Sequence, residues 1–490
     1  MEIGDDGCDV IVVGCGIAGL SAAVSAQQAG ARVALLERAP KEERGGNTRY
    51  TESFWRMQSH DAVSEDFVDR FAENAGGHLD PAVIEDSVRP YDEWPRLLRG
   101  LGFVDPELVT TLADNAGPTL RWLTGFGVEF DFLPNYFITE STTRMAPAGG
   151  GLALVEALAA HAESVPDRIA IHYETTARGL TQDDDGRVKG IEASGPRNRR
   201  IRLHAGAVVL ASGGFEGNPE MLSRYLGPQS QFIRPVARGG YYNRGEGIRM
   251  ALEIGAAPCG DYGSFHAQPV DPRSGQHEPV VLNYPYGILV NREGRRFVDE
   301  APATVDASYE AASRHMMAQT EGIAFAITDA RLDDVPNWQK SVRTDQPPVE
   351  AETLAGLANA LGIDGEELAR TLAAYNAACR GEDGFKPLAL DGLCTDGLAL
   401  RKSNWARPVD RPPFRAWPII AANCFTFGGL KIDPSAQVLN TDGEVIPGLY
   451  AAGETAGLYY RTYTGSTSVM RGAVFGRIAG LDAAARKNRP

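Results

Sequence analysis

The sequence predicts an α/β protein: a nucleotide-binding domain that opens on a βαβ unit and is interrupted by an inserted α+β domain. Three observations carry this. Residues 10–13, VIVV, form a continuous apolar run leading into glycines spaced G-x-G-x-x-G at Gly14, Gly16 and Gly19. A second apolar run meets glycines in AGAVVLASGGFEGN, at Gly213 and Gly214. Between about residues 269 and 417 the composition changes to proline-rich loops, a strand pair around YGILVNREGRRFVDE and helical segments, after which the first pattern resumes in GLKIDPSAQVLNTDGEVIPGLYAAGE.

The setting gives the glycine triplet its chemistry. A run apolar at every position is what a strand buried on both faces requires, and the small residues Ala18 to Ala26 suit a helix packed closely against it. Gly14 then permits the turn, Gly16 lets the backbone approach a pyrophosphate, and Gly19 lets helix and strand touch, with the helix N-terminus toward the anion. A second run, Val33 to Leu36, ends in Glu37, about 20 residues beyond the glycines, where a ribose hydroxyl needs an acceptor. Residues 51–150 read as a helical, aromatic insertion, with helical spacing in SEDFVDRFAENAG and LRWLTGFGVEF. GGGLALVEALAAHAESV, 149–165, becomes an amphipathic helix. IAIHYETTARGLTQDDDGRVKGIEA reads as strand, turn and strand with a solvated acidic tip. VEAETLAGLANALGI and DGEELARTLAAYNAACRG are expected helices of the insert, and a last helix is expected from about Thr467 to Arg486. The predicted organisation is a nucleotide-binding domain over 1–268 and 418–490 and a capping, substrate-binding domain over 269–417.

Composition narrows the function. A chain of 490 residues with 43% hydrophobic residues has enough apolar surface for two or three domains and a buried ligand. Its formal charge of -16 opposes binding to nucleic acid, because a duplex repels such a surface. The one basic cluster, in GPRNRRIRL, is expected on a solvated hairpin. No apolar stretch is long enough to span a bilayer, and the opening MEIGDD lacks a basic, apolar leader, so a cytoplasmic location is expected. The six cysteines form no C-x-x-C pair, which argues against a metal site, an attached haem or an iron–sulfur cluster.

Four segments coincide in kind and order with one group: VIVVGCGIAGLSAA…LLERA, GGNTRY, VLASGGFEGN and IPGLYAAGE…GAVFGRIAG. Together they resemble the FAD-dependent oxidoreductases that include fumarate reductase and succinate dehydrogenase flavoproteins and 3-ketosteroid dehydrogenases. GGNTRYT, NYPYGILVNREGRRFVDE and GAVFGRIAG look closest to the FAD-dependent tricarballylate dehydrogenases. The resemblance implies a Rossmann-like FAD-binding domain with an inserted α+β capping domain. It places the pyrophosphate at Gly14, Gly16, Ala18 and Gly19, the adenosine ribose at Glu37 beside Arg38, and the flavin side at Gly46, Asn47 and Thr48. Gly213 and Gly214 give a further backbone approach, Ala177 lies near the adenine, and Glu454 near the ribityl chain. Ser468 and Val469 open the helix that faces the flavin's pyrimidine edge, where N–H groups stabilise negative charge. A histidine used for covalent attachment in some relatives is replaced here by Asn47-Thr48-Arg49, so non-covalent FAD is expected.

The resemblance also implies a substrate held between flavin and cap, with His266 of DYGSFHAQPV bonded to its carboxylate or carbonyl. The chain departs from the fumarate reductases at three places. Thr304 replaces a proton-donating arginine, Tyr463 a substrate arginine, and Phe425 a second histidine. Fumarate reduction is disfavoured accordingly. A tyrosine at 463 suits the ketosteroid and tricarballylate dehydrogenase patterns and can polarise a carbonyl or, deprotonated, remove an α-proton. As a base it needs nearby positive charge, for which Arg461 is the candidate. Arg461, Arg144 and Arg471 are possible carboxylate clamps. Tyr286, Tyr309, Tyr459 and Tyr460 are possible wall residues, unranked. The expected reaction is desaturation of a C–C bond next to a carboxylate or ketone in a small carboxylated substrate. Tricarballylate-like acids come first, with a cyclic ketone such as an oxocyclohexanecarboxylate or a steroid as alternative, and a non-catalytic flavin-binding protein as an alternative of another class. Electrons then pass to oxygen, a quinone or a separate redox protein.

Overall fold

The computed structural model describes residues 7–75, 79–133, 135–136, 139–140 and 144–486, the four residues between 135 and 140 by backbone alone. At its centre lies a six-stranded sheet in the order Gln437–Leu439, Val445–Ala451, Ala207–Leu210, Val10–Val13, Val33–Leu36, Ile169–His172. All neighbours are parallel except the first pair. Val10–Val13 sits between two strands in unbroken register and is buried throughout, which is why it is apolar at every position.

Glycines set the packing behind this sheet. The helix Ile17–Gln28 lies against the last helix, Ser468–Arg486, through Gly476 and Gly480, one turn apart. A methyl group on Gly476 would stand 2.2 Å from Ala18 O, and one on Gly480 2.2 Å from Ala22 O. Backbone therefore rests on backbone, and both helices bring their N-terminal ends to the same cavity, which Gly16, Ile17, Ala18, Ser468 and Val469 line.

A second sheet has the order Arg234–Pro235, Phe414–Thr426, Ile323–Thr328, Ile288–Val290, with Phe265–Val270 and Val349–Ala351 also paired to Phe414–Thr426. That 13-residue strand is its spine, and with Phe265–Val270 it runs across the junctions expected near 268 and 418. The helix Val305–Met317 packs on Phe265–Val270 through Glu310 and Arg314. Leu354–Leu361 and Gly365–Ala378 cover the sheet's far side around Leu357, Leu368 and Tyr375. VEAETLAGLANALGI, expected as one helix, begins instead as the strand Val349–Ala351, because its first residues pair with Phe414–Ala416.

The region expected to be helical, 51–150, contains the helices Phe67–Ala75 and Pro106–Thr124, but also a three-stranded sheet in the order Trp55–Arg56, Arg144–Pro147, Phe130–Phe132. Strands of two to four residues are too short to show a period. Asp105 caps Pro106–Thr124 by accepting from Glu107 N at 3.0 Å and Leu108 N at 3.3 Å, and its other oxygen takes Lys431 Nζ at 2.9 Å. That buried ion pair ties the region to the sheet domain. The hairpin Thr176–Gln182 with Val188–Gly195 forms as expected, its acidic tip exposed. No described helix is long and apolar enough to cross a membrane.

Candidate active site

One continuous cavity of about 620 Å³ runs from Glu37 and Ala177 at one end to His266 and Tyr309 at the other. Gly14 turns at φ 108, and a side chain there would meet Ala211 O at 2.3 Å. Glu37 is 6% exposed, and its two oxygens accept from Cys15 N and Ala39 N, each at 2.8 Å. Burial pushes its carboxyl above the ordinary range and these N–H groups pull it back. Arg38 is fixed by Tyr242 O at 2.5 Å and Glu246 at 2.7 Å. Thr48 Oγ1 accepts from Ile17 N at 3.2 Å, joining the Gly46–Tyr50 turn to the first helix.

Asn47 Nδ2 donates to Glu216 Oε1 at 2.5 Å and to Cys424 O at 2.9 Å. Its Oδ1 is buried with no hydrogen-bond partner among the described residues, and so is Ser212 Oγ. Both residues line the cavity, together with Gly46, Gly213 and Glu454. Glu454 Oε1 accepts from Thr426 N at 2.7 Å, while burial and the Glu454 charge push the neighbouring Glu216 carboxyl well above the ordinary range. Glycine backbone at the turns, buried polar atoms lacking partners and a carboxylate at the ribose position fit FAD.

Two of the expected cofactor contacts are packing positions. Gly19 does not line the cavity: a methyl group there would lie 1.8 Å from Gly14 O, so its work is the close approach of helix and turn. Gly214 also stands off the cavity, because a side chain would meet Glu454 Oε1 and Thr426 Oγ1, both at 2.1 Å.

At the other end the structure brings together His266, Tyr463 and Phe425 and adds Tyr309 and Glu310. His266 is 5% exposed. Its Nδ1 is 2.6 Å from Glu310 Oε2 and its Nε2 is 3.1 Å from Tyr309 Oη. Glu310 Oε1 already accepts from Arg314 at 2.8 Å, so Glu310 is an acceptor for His266 Nδ1–H. Nε2 is then left to accept the Tyr309 hydroxyl proton. Beside His266, Tyr463 Oη accepts from Thr467 N at 2.9 Å and Ser468 N at 3.0 Å, at the start of the last helix, and donates to Ser468 Oγ at 3.1 Å. Its ring stands 4.5 Å from that of His266 and 5.0 Å from that of Phe425.

Arg144 lines the cavity and pairs with Asp306 at 3.1 Å. Arg461 does not reach the site. It is exposed, adopts φ 45, and its backbone N–H bonds to Asp261 at 3.3 Å. The left-handed turn breaks the alternation that would have put Arg461 on the same side as Tyr463. The helix N-terminus supplies the positive end instead. Arg471 is buried in the last helix, donates to Ala456 O at 3.2 Å and lies over the Tyr459 ring. The residues missed by the sequence reading, Asp306 and Glu310, share one face of Val305–Met317 with Tyr309, at spacings of three and four. That polar stripe, repeated at helical spacing, was the available signal.

A glycine-lined dinucleotide groove that ends at two phenols beside a buried imidazole defines a flavin-dependent oxidoreductase. The chain belongs to the FAD binding domain family, whose pattern matches residues 9–469. It is 29% identical over 491 residues to fumarate reductase (cytochrome) of Shewanella frigidimarina, covering 98% of this chain and 77% of the relative. It is 30% identical over 493 residues to urocanate reductase of Eggerthella lenta, covering 97% and 74%. Among solved structures, the open conformation of a flavocytochrome c3 fumarate reductase superposes with a TM-score of 0.74 at 25% identity, over 99% of this chain and 79% of the other. The 3-ketosteroid-delta4-(5alpha)-dehydrogenase of Rhodococcus jostii shares the fold, with a TM-score of 0.67 at 24% identity over 98% of both chains. The protein is an FAD-dependent oxidoreductase acting on CH–CH groups.

Proposed function

We propose that this oxidoreductase desaturates a C–C bond adjacent to a carbonyl in a small oxo acid. Tyr463 binds the carbonyl oxygen and Tyr309 takes the α-proton. The observation that carries this is that two phenols adjoin the buried His266 ring, Tyr309 bonded to its Nε2 at 3.1 Å and Tyr463 packed at 4.5 Å from it. The Tyr463 oxygen accepts two N–H groups, which makes it a poor base, and its own hydrogen goes to Ser468 Oγ at 3.1 Å, an acceptor that a substrate carbonyl can replace. The Tyr309 hydroxyl faces an imidazole that can receive its proton.

When bound, FAD supplies the hydride-accepting centre. The chain's residues handle the proton and the oxygen. Tyr309 passes its phenolic proton to His266 Nε2 and takes the α-proton in its place, and Glu310 balances the resulting imidazolium. The Cα–H electron pair becomes the new double bond as hydride leaves the β-carbon. Negative charge gathering on the carbonyl oxygen meets the Tyr463 hydroxyl, polarised by the helix amides behind it. Reduction of the corresponding enone uses the same groups in reverse.

A tricarboxylate fits this end of the cavity less well than an oxo acid. His266 and Arg471 adjoin the Phe425 ring, and Arg56, Arg70 and Arg144 line the wall, but so do the acids Asp306, Glu310, Glu52 and Glu278, which repel every carboxylate beyond those the arginines pair. The test is anaerobic mixing of the FAD-loaded protein with 4-oxocyclohexanecarboxylate and, separately, with tricarballylate. The expected result is loss of the blue absorption band with the oxo acid; bleaching by tricarballylate alone overturns the carbonyl reading.

A further inference from the structure

Arg56 and Arg144 stand directly opposite each other in the antiparallel pair of Trp55–Arg56 with Arg144–Pro147, and both line the cavity. Residues at such positions project to the same face, and like charges directly opposite repel. A protein that keeps two guanidiniums there has a use for their combined field. The neighbouring contacts place the pair beside the reacting end. Arg56 N donates to Ser466 O at 2.8 Å, three residues beyond Tyr463, and a methyl group on Gly465 would lie 3.8 Å from Arg144 Nη2. From the adjoining helix Phe67–Ala75, Arg70 and Asn74 also line the cavity, and Asn74 Nδ2 donates to Thr464 Oγ1 at 3.0 Å.

Each arginine has an acid to one side. Arg56 pairs with Asp66 at 2.5 Å, and Arg144 with Asp306 at 3.1 Å. Asp66, which Arg70 shares at 3.0 Å, does not line the cavity, so it holds the arginines from behind. The Arg56 side chain is 13% exposed, and its Nε is buried with no hydrogen-bond partner among the described residues. A buried guanidinium N–H without an acceptor is costly to keep unless a ligand completes it.

We infer that Arg56 and Arg144 form a carboxylate-binding subsite that holds the acid end of the substrate while Tyr463 holds its carbonyl. The inference rests on the proposed function only for calling the bound molecule the substrate. Planar guanidiniums bind a carboxylate through paired N–H donors, and an anion between two opposed cations also removes their repulsion. Two attachment points fix which carbon faces Tyr309.

The test uses the FAD-loaded protein and reads binding without turnover. Thermal stability is followed against sodium formate, sodium acetate and 4-oxocyclohexanecarboxylate at constant ionic strength, and flavin difference spectra are recorded with the neutral ketone 4-methylcyclohexanone. The expected result is a saturable rise in Tm with carboxylate. In Arg56→Gln the half-saturating concentration rises at least about tenfold, and in Arg56→Lys it rises less, because charge is kept and the fork lost. Without carboxylate, Arg56→Gln melts lower than the parent protein because the pair with Asp66 is lost; a purely structural Arg56 would give that drop and leave the half-saturating carboxylate concentration unchanged. Arg144→Lys repeats the test if Arg56→Gln does not fold. No saturable stabilisation by any of the three anions, or one unchanged in Arg56→Gln and Arg144→Lys, overturns the subsite. Failure of the neutral ketone to perturb the flavin spectrum, with the anion response intact, counts against the carbonyl reading and leaves the subsite standing.

Discussion

The phenol oxygen of Tyr463 caps the last helix by accepting the backbone N–H of Thr467 at 2.9 Å. One contact thereby orients the phenol and satisfies a helix-end donor that would otherwise need another acceptor, while the phenol's own hydrogen is held by Ser468 Oγ at 3.1 Å. Tyr463→Phe removes the donor and uncovers the amides. Flavin reduction by an oxo acid is expected to slow about 100- to 1,000-fold, the range for losing one donor to a developing oxyanion. FAD stays bound, and rapid mixing with the protein at saturating substrate reads the change.

Tyr309, His266 and Glu310 act as a unit in this account. Tyr309→Phe and His266→Asn are each expected to slow flavin reduction about 100- to 10,000-fold. The double variant should be scarcely slower than either single one, because the second change removes a relay that is already broken. Rates that multiply in the double variant would separate the two residues.

Arg461→Ala should leave the rate of flavin reduction within about twofold, as surface substitutions away from such features do little. Its side chain is exposed and off the cavity. Steady-state comparison with the parent protein checks this, and a large loss would restore Arg461 to the site.

The Glu278 carboxyl is pushed up to about 7 by burial first and the Glu52 charge second, against the pull of Arg343. Its ordinary value is 4.5, so the folded chain holds this proton more tightly than the unfolded one. Stability from this group is complete below that ordinary value and is lost as pH rises through about 7. Glu278→Gln, which resembles the protonated form, should match the parent Tm in acid and exceed it at about pH 8. A Tm difference that is equal at both pH values contradicts the assignment.

Gly476→Ala weighs two effects of opposite sign. Alanine favours a helix by about 1 kcal/mol over glycine, but overpacking costs about 1–3 kcal/mol. At 2.2 Å from Ala18 O the obstacle is backbone, so the clash should win. Calorimetry should show a lower Tm, and flavin titration weaker FAD binding, since the two helices that it wedges apart both end at the cavity.

The cofactor half of the molecule was legible because burial and close approach leave marks on composition. A strand buried on both faces must read VIVV, and Gly14 and Gly19 are demanded by backbone 2.3 Å and 1.8 Å from where a side chain would start. The substrate half was less so. His266 and Tyr463 came from resemblance, whereas Tyr309 and Glu310 lie on a polar helix stripe that reads like a solvent face until Phe265–Val270 is folded over it. Arg56 sits on a two-residue strand, which has no period, and Arg461 was misplaced by a single left-handed residue.

The most direct measurement is stopped-flow reduction of the FAD-loaded protein by 4-oxocyclohexanecarboxylate carrying deuterium at the carbons beside the ketone, in the parent protein and in Tyr309→Phe. A primary isotope effect on bleaching is expected in the parent, and in the variant a rate at least about 100-fold lower with the substrate-binding spectrum retained. Bleaching of Tyr309→Phe at the parent rate would contradict it.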